Sequence, residues 1–275
     1  MNFSMIEIMP MVCSIAGVHS LGMHYPGIRY PGMRYQLKKR GVRFGGLRLA
    51  LSVAAMLGAG AAHANPPQKL SVQYEMSRNG TVMVEVSETL VHDGKTYRIE
   101  SDARGKGLFA LSNRGNLKRE SKGSIELGGL RPLEFRDQRG DRKPEFARFD
   151  WGKREVVEER DGKSETTPIK GPTQDRLSFL WSFTFVPPKG KEIVVDVADG
   201  RGVDRFRYFV SGPEKLKTAV GEIDTLKLVK QRESGDERGT EVWLSVRHHY
   251  APVRVLVVEK DGTRLDQIAT RVLPE

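Results

Sequence analysis

Apolar and polar residues alternate one by one through most of this chain, and the alternating runs are broken by residue pairs that tolerate positive φ. Leu70, Val72, Tyr74 and Met76 alternate with Ser71, Gln73 and Glu75, and Asn79-Gly80 follows at once. Val82, Val84 and Val86 then alternate as far as Asp93-Gly94, beyond which Tyr97, Ile99 and Ser101 face away from Arg98, Glu100 and Asp102. A repeat of two puts every second side chain on one face, which is the geometry of a half-buried strand and of no helix. Asn-Gly and Asp-Gly suit two-residue hairpin turns, so neighbouring strands must pair antiparallel; parallel pairing needs a long crossover.

The rhythm continues to the end of the chain. Asp161-Gly162, Asp199-Gly200 and Asp261-Gly262 are further turns, and Gly128-Gly129 and Trp151-Gly152 are further bends. Between them lie Ile193/Val195/Val197, Phe206/Tyr208/Val210, Val242/Leu244/Val246 and Val253/Val255/Val257. The pattern predicts an all-β domain: an antiparallel meander of roughly ten to thirteen strands, forming a curved open sheet or an up-and-down barrel. One interruption breaks the period. Pro172-Thr173-Gln174-Asp175 precedes Arg176–Phe183, and Pro187-Pro188 closes the segment. Thr173 or Asp175 suits a helix cap, and Leu177, Leu180 and Trp181 would share one face. The expectation is one short helix near residues 174–183, plugging or capping the sheet, with a continuous buried strand as the alternative.

The segment before residue 65 has another character. Lys38, Lys39, Arg40, Arg43 and Arg48 precede a charge-free stretch from Leu49 to Ala62, and Ala62-His63-Ala64 then offers small residues at the two positions a signal peptidase must accommodate. This is the tripartite pattern of a secretory signal, and its apolar part is shorter than the roughly 20 residues a spanning helix needs. Cleavage between Ala64 and Asn65 is expected, with residues 1–64 as extension and signal and 65–275 as a single periplasmic domain. Arg40 and Arg43 are not adjacent, which favours the general secretory route over the twin-arginine one. Two copies of Tyr-Pro-Gly-x-Arg, at Tyr25–Arg29 and Tyr30–Arg34, fall in a region with no place in such a signal, so Met33 competes with Met1 as the start.

Much of the basicity belongs to that leader. The whole chain carries +10, but seven basic residues and one acid precede Ala64, leaving about 38 basic and 34 acidic residues after it. A modest excess in an exported domain argues against nucleic acid as a partner, and Arg205 and Arg207 read as the solvent face opposite Phe206 and Tyr208. The one cysteine, Cys13, lies upstream of the apolar stretch. The cleaved protein would have no disulfide, no thiolate nucleophile and no lipid-bearing cysteine.

Chemistry is sparse. His248 and His249 are adjacent, and on a strand they would point to opposite faces, so no metal site is expected. Asp196, Asp199 and Asp204 lack the spacing and the closing glutamate of a calcium loop. No Gly-x-Ser-x-Gly elbow or phosphate loop occurs. Ser178, His248 and Asp175 supply the parts of a triad, as almost any chain of this size does; Glu158-Glu159 are adjacent and diverge. No catalytic residue and no cofactor is assigned. The singular residues are aromatic: Trp151, Trp181 and Trp243 are the only tryptophans. Together with Phe179 they are the candidates for contact with an apolar ligand or lipid in the curve of the sheet, the helix around Trp181 serving as its lid.

Several segments, in order, resemble a family of exported bacterial β proteins catalogued as a domain of unknown function: Gly129-Leu130-Arg131-Pro132-Leu133-Glu134-Phe135, Phe149-Asp150-Trp151 and Thr173–Trp181. They are followed by Leu216-Lys217-Thr218, Gly221–Thr225, Val242-Trp243-Leu244 and Ala251-Pro252-Val253-Arg254. The resemblance implies a signal-bearing, mainly antiparallel β protein and carries no activity. The leading expectation is a non-catalytic periplasmic protein that binds an apolar ligand for envelope maintenance. An interaction module for an envelope protein or polysaccharide comes second and a hydrolase third. Membrane contact is expected only through the signal before its removal.

Overall fold

The computed structural model describes residues 66–111, 116–232 and 238–274. The expected signal segment, its expected cleavage between Ala64 and Asn65, and Cys13 lie outside the described residues. Among the described residues alternation becomes fifteen strands in one sheet. The first eight are β1 (Lys69–Arg78), β2 (Thr81–His92), β3 (Thr96–Gly105), β4 (Leu117–Glu126), β5 (Gly129–Arg139), β6 (Glu145–Asp150), β7 (Glu155–Arg160) and β8 (Lys163–Pro168). After them come β9 (Thr173–Asp175), the helix α1 (Ser178–Trp181), a 3-10 turn at Ser182–Thr184, then β10 (Glu192–Ala198) and β11 (Val203–Thr218). The chain closes with β12 (Gly221–Lys230), β13 (Gly239–Ser245), β14 (Ala251–Val258) and β15 (Arg264–Pro274).

The order across the sheet is β8-β7-β6-β5-β4-β3-β2-β1-β15-β14-β13-β12-β11-β10-β9. Sequence neighbours are sheet neighbours almost everywhere, and the first and last strands pair with each other. The sheet therefore opens in the middle of the chain, between β8 and β9, and is not closed into a barrel. Every pairing is antiparallel except β9 with β10, which are parallel because α1 and the loop after it return the chain. The strand count exceeds the sequence expectation because β6, β7 and β8 are only six residues long and β9 only three.

The turns form where positive φ is cheap. Asn79 and Gly80 have φ of 50° and 84°, and Asp161 and Gly162 have 51° and 77°. Both pairs match the primed turn whose twist suits two antiparallel strands. At Asp93-Gly94 the aspartate Oδ1 also accepts the amides of Lys95 and Thr96 at 2.8 and 2.7 Å. Gly94, Gly200 and Gly262 all have φ between 81° and 86°.

The alternating faces then decide the packing. Leu70, Val72, Tyr74 and Met76 are buried, and so are Tyr97, Ile99, Ser101 and Ala103 of β3. All of these but Ser101 belong, with Phe135, Ala147 and Val156, to one apolar cluster; Val195, Val197, Phe206, Tyr208, Leu228, Val242 and Leu244 form a second. Burying each such side chain contributes about 1.5–3 kcal/mol. Arg205 and Arg207 do lie on the solvent face, paired with Asp196 and Glu192.

Candidate functional site

The segment from Asp175 to Phe185 fills the inside of the rolled sheet. Asp175 starts it: its Oδ1 accepts the amides of Leu177 and Ser178, both at 2.8 Å, and its own amide donates to Ser178 Oγ at 2.9 Å. Its Oδ2 accepts the Ser121 hydroxyl at 2.5 Å, tying α1 to β4, and Tyr97 meets Ser121 at 3.0 Å. Burial pushes the Asp175 carboxyl up to about 6, against the hydrogen bonds from Ser121 and Ser178. The helix has four residues and a following 3-10 turn, shorter than the two or three turns expected over 174–183. Leu177 and Trp181 enter the first cluster; Phe179 and Phe183 enter the second. Leu180, expected beside Leu177 and Trp181, packs with the second cluster instead, because it lies a quarter-turn round from them.

The four aromatic candidates for ligand contact are not brought together. Trp181 is 1% exposed and donates its indole N–H to Glu88 Oε2 at 2.9 Å. Phe179 is packed between Phe183 and Tyr208, with centroids 5.5 and 5.3 Å away. Trp243 points to the other side of the sheet from Val242 and Leu244. There the register sets it between Lys227 and Arg254, whose cations sit 4.8 and 4.6 Å from its ring. Those cations are held in turn, Lys227 by Glu241 at 2.9 Å and Arg254 by Asp266 at 2.7 and 2.8 Å. Trp151, in the β6–β7 turn, is half-buried. Its indole donates to the Pro132 carbonyl at 2.7 Å, its ring stacks on Phe149 at 5.9 Å, and Arg131 lies 4.7 Å over it.

Around Trp151 the surface opens into a groove of about 590 Å³, with Leu133, Phe149 and Val157 as its other apolar walls. Arg131, Arg148 and Lys153 stand at its border, and each has a carboxylate partner: Glu126 at 2.5 Å, Glu134 and Glu159 at 3.1 and 2.7 Å, and Asp150 at 3.4 Å. The groove thus combines apolar faces with neutralised ion pairs rather than presenting a net cationic surface.

An ionic network that the sequence reading missed joins the two halves of the sheet across its opening. Asp137 of β5 is fully buried between Arg139, at 2.9 and 3.0 Å, and Arg119 of β4, at 3.1 Å. Burial pushes the Asp137 carboxyl up, but the charges of Arg119 and Arg139 outweigh it and hold it below the ordinary value. Arg176, just before α1, reaches Asp199 in the β10–β11 turn at 3.2 Å, and Arg201 of that turn reaches Glu145 of β6 at 2.7 Å. Glu158 of β7, 3% exposed, faces the amides of Gly202 and Gly200 in the same turn without closing a full hydrogen bond. Burial and the nearby Asp199 charge push its carboxyl up to about 7. The signal was legible in principle: Asp137 and Arg139 continue the inward face of Phe135, and Arg119 shares a face with Ser121.

The residues weighed for chemistry are engaged elsewhere. Ser178 and Asp175 serve the start of α1, and His248 Nδ1 meets Ser245 Oγ at 2.8 Å. His248 and His249 lie in the β13–β14 turn, not in a strand, and His249 has φ of 53°.

Fold and surface together define an all-β protein of one rolled antiparallel sheet wound around its own helical segment. The chain belongs to the family described as "Protein of unknown function (DUF3108)", which matches residues 69–268. Among solved structures, a β-barrel-like protein of the domain of unknown function DUF1849 from Brucella abortus is similar at 10% identity and a TM-score of 0.47; the match covers 76% of this chain and 97% of that one. A candidate lipoprotein from Parabacteroides distasonis ATCC 8503 is similar at 12% identity and a TM-score of 0.33, over 75% of this chain and 97% of that one. No curated protein matches the sequence.

Proposed function

We propose that this is an exported, non-catalytic recognition protein of the cell envelope, released into the periplasm after Ala64, which holds the apolar part of a lipid-like ligand in the groove around Trp151. The observation that carries the reading is a contrast. Phe179, Trp181 and Trp243 are 6%, 1% and 2% exposed and spend their surfaces on packing, whereas Trp151 borders a groove of about 590 Å³ with Leu133, Phe149 and Val157. A half-buried indole with its N–H already satisfied offers a rigid apolar edge at little entropic cost. The helix that sequence patterning cast as a lid fills the inside of the sheet, so the ligand is assigned to the rim and not to the interior. A tryptophan stacked under an arginine also suits a sugar ring, but the apolar walls at Leu133 and Val157 favour an acyl chain.

Native mass spectrometry of the purified protein with dodecanoate below its micellar concentration tests this. A one-to-one adduct that is retained in Trp151→Phe and lost in Trp151→Ala, with both variants still unfolding cooperatively above the assay temperature, supports the assignment. An adduct indifferent to Trp151, or turnover of a model ester or glycoside, would overturn it.

A further inference from the structure

Antiparallel order places the β2–β3, β4–β5, β6–β7, β11–β12 and β13–β14 turns, the start of β1 and the finish of β15 at one end of the strands. Of the seven exposed large hydrophobic residues among the described side chains, six gather there. Leu127, Val220 and Val246 are the tips of three of those turns, at 104%, 43% and 45% exposure. Val91 lies opposite Lys69, the first residue of β1, and Leu273 lies opposite Ser71. Leu133 borders the Trp151 groove, while Phe209, opposite Glu192 on β10 but also opposite Val229 near the far end of β12, stands apart from the group. The tips at the other end include Asn79-Gly80, Gly140-Asp141, Asp161-Gly162, Gly200-Arg201 and Asp261-Gly262, and the apolar β3–β4 connection there, Gly107–Leu111, turns Phe109 against the core. A handful of single exposed apolar residues is ordinary for a soluble domain. That six of the seven among the described side chains lie at one end is not.

We infer that this end seats on an anionic phospholipid bilayer. The apolar tips are separated from one another rather than joined in a patch, which suits shallow insertion between head groups better than a flat protein interface. Exposed Lys95, Lys170, Lys189, Lys191, Lys217 and Arg247 stand between and beside the tips. Each cation near an anionic surface adds an attraction that salt screens. Acids are present at the same end (Asp93, Glu126, Glu192 and Glu222), but fewer of them. The chain also enters the domain here: His92 Nε2 sits 3.2 and 3.1 Å from the carbonyls of Pro66 and Pro67. This contact goes beyond the transient one expected of the export segment, and it does not depend on the groove binding an acyl chain.

Sedimentation with vesicles of phosphatidylglycerol and phosphatidylethanolamine tests it, against vesicles of phosphatidylcholine. The expected result is binding to the anionic vesicles that weakens as salt rises and falls at least about tenfold in the triple variant Leu127→Glu, Val220→Glu, Val246→Glu. Making the same −3 change in net charge at the opposite end, with Lys143→Ala, Lys163→Ala and Lys260→Ala, should change it by less than about twofold. Any leader still attached is common to all the proteins compared. Equal losses in the two triple variants, absence of vesicle binding, or a dimer that the glutamate variant dissolves without any vesicle binding would each overturn the inference. Loss of the dodecanoate adduct in Trp151→Ala with vesicle binding intact would separate this proposal from the ligand reading.

Discussion

Trp181 on α1 and Glu88 on β2 are joined across the inside of the rolled sheet by an indole N–H that donates to Oε2 at 2.9 Å. Ser101 supplies a second donor to the same carboxylate at 3.3 Å. Burial nonetheless pushes Glu88 up, the bonds from Trp181 and Ser101 opposing it. Trp181→Phe keeps most of the apolar volume and removes the donor, so the buried carboxylate loses its shortest bond. The expected cost is about 1–3 kcal/mol in urea unfolding. It should shrink in a Glu88→Leu background, where no acceptor is left behind. A cost identical in both backgrounds would mean that the bond contributes nothing and that Trp181 matters only for its bulk.

The turn that closes the opening of the sheet makes a separate demand at Gly200. Its φ is +84°, and a Cβ there would lie 3.1 Å from the Glu145 Cβ and 3.2 Å from the Phe146 amide. Gly162 has a similar φ of +77° with open space around it. Gly162→Ala therefore isolates the backbone penalty, about 1 kcal/mol, whereas Gly200→Ala adds the cost of pushing the β10–β11 turn off β6. The difference between the two melts should be at least about 1 kcal/mol in the same direction. Equal destabilisation would show that the turn does not press on β6 in solution.

The strands and turns were legible because alternation and positive-φ pairs are local signals. Asn79-Gly80 and Asp161-Gly162 announce their turns whatever the rest of the chain does. Where tertiary packing decides, the reading ran short. The three residues of β9 carry no period, so their parallel pairing with β10 was invisible. Four-residue α1 was overextended because the apolar run Leu177–Phe183 looks alike as one face or two; only the structure shows it split between two clusters. Trp243 sits on the opposite face from Val242 and Leu244, as strict alternation demands, yet a sequence does not say that lysine and arginine will roof it. Asp137, Arg139 and Glu158 occupy inward positions, where a charge reads as the end of a strand until its partners are known: Arg119 on the neighbouring strand for Asp137, Asp137 itself for Arg139, and the β10–β11 turn across the opening for Glu158.

Glu158 makes stability depend on pH with a sign opposite to that of an ordinary ion-paired carboxylate. Its folded value is pushed up to about 7 from 4.5 by burial and by Asp199; Asp204, on β11, is pushed up to about 6 by burial and by the same Asp199 charge. Between the unfolded and folded values the native state holds more protons than the unfolded chain, so stability falls as pH rises through that interval. Asp137, held below its ordinary value, behaves conversely, and its contribution is lost only in stronger acid, as pH falls below about 4. Glu158→Gln stays neutral and keeps an acceptor for the Gly200 and Gly202 amides. It should leave stability near pH 4.5 unchanged and raise it at pH 8 by about 1–2 kcal/mol, after allowance for solvent reaching the turn. Urea midpoints for wild type and variant should coincide in acid and separate steadily towards neutrality. Parallel profiles from pH 4.5 to 8 would show that Glu158 titrates normally and that the β10–β11 turn does not cover it.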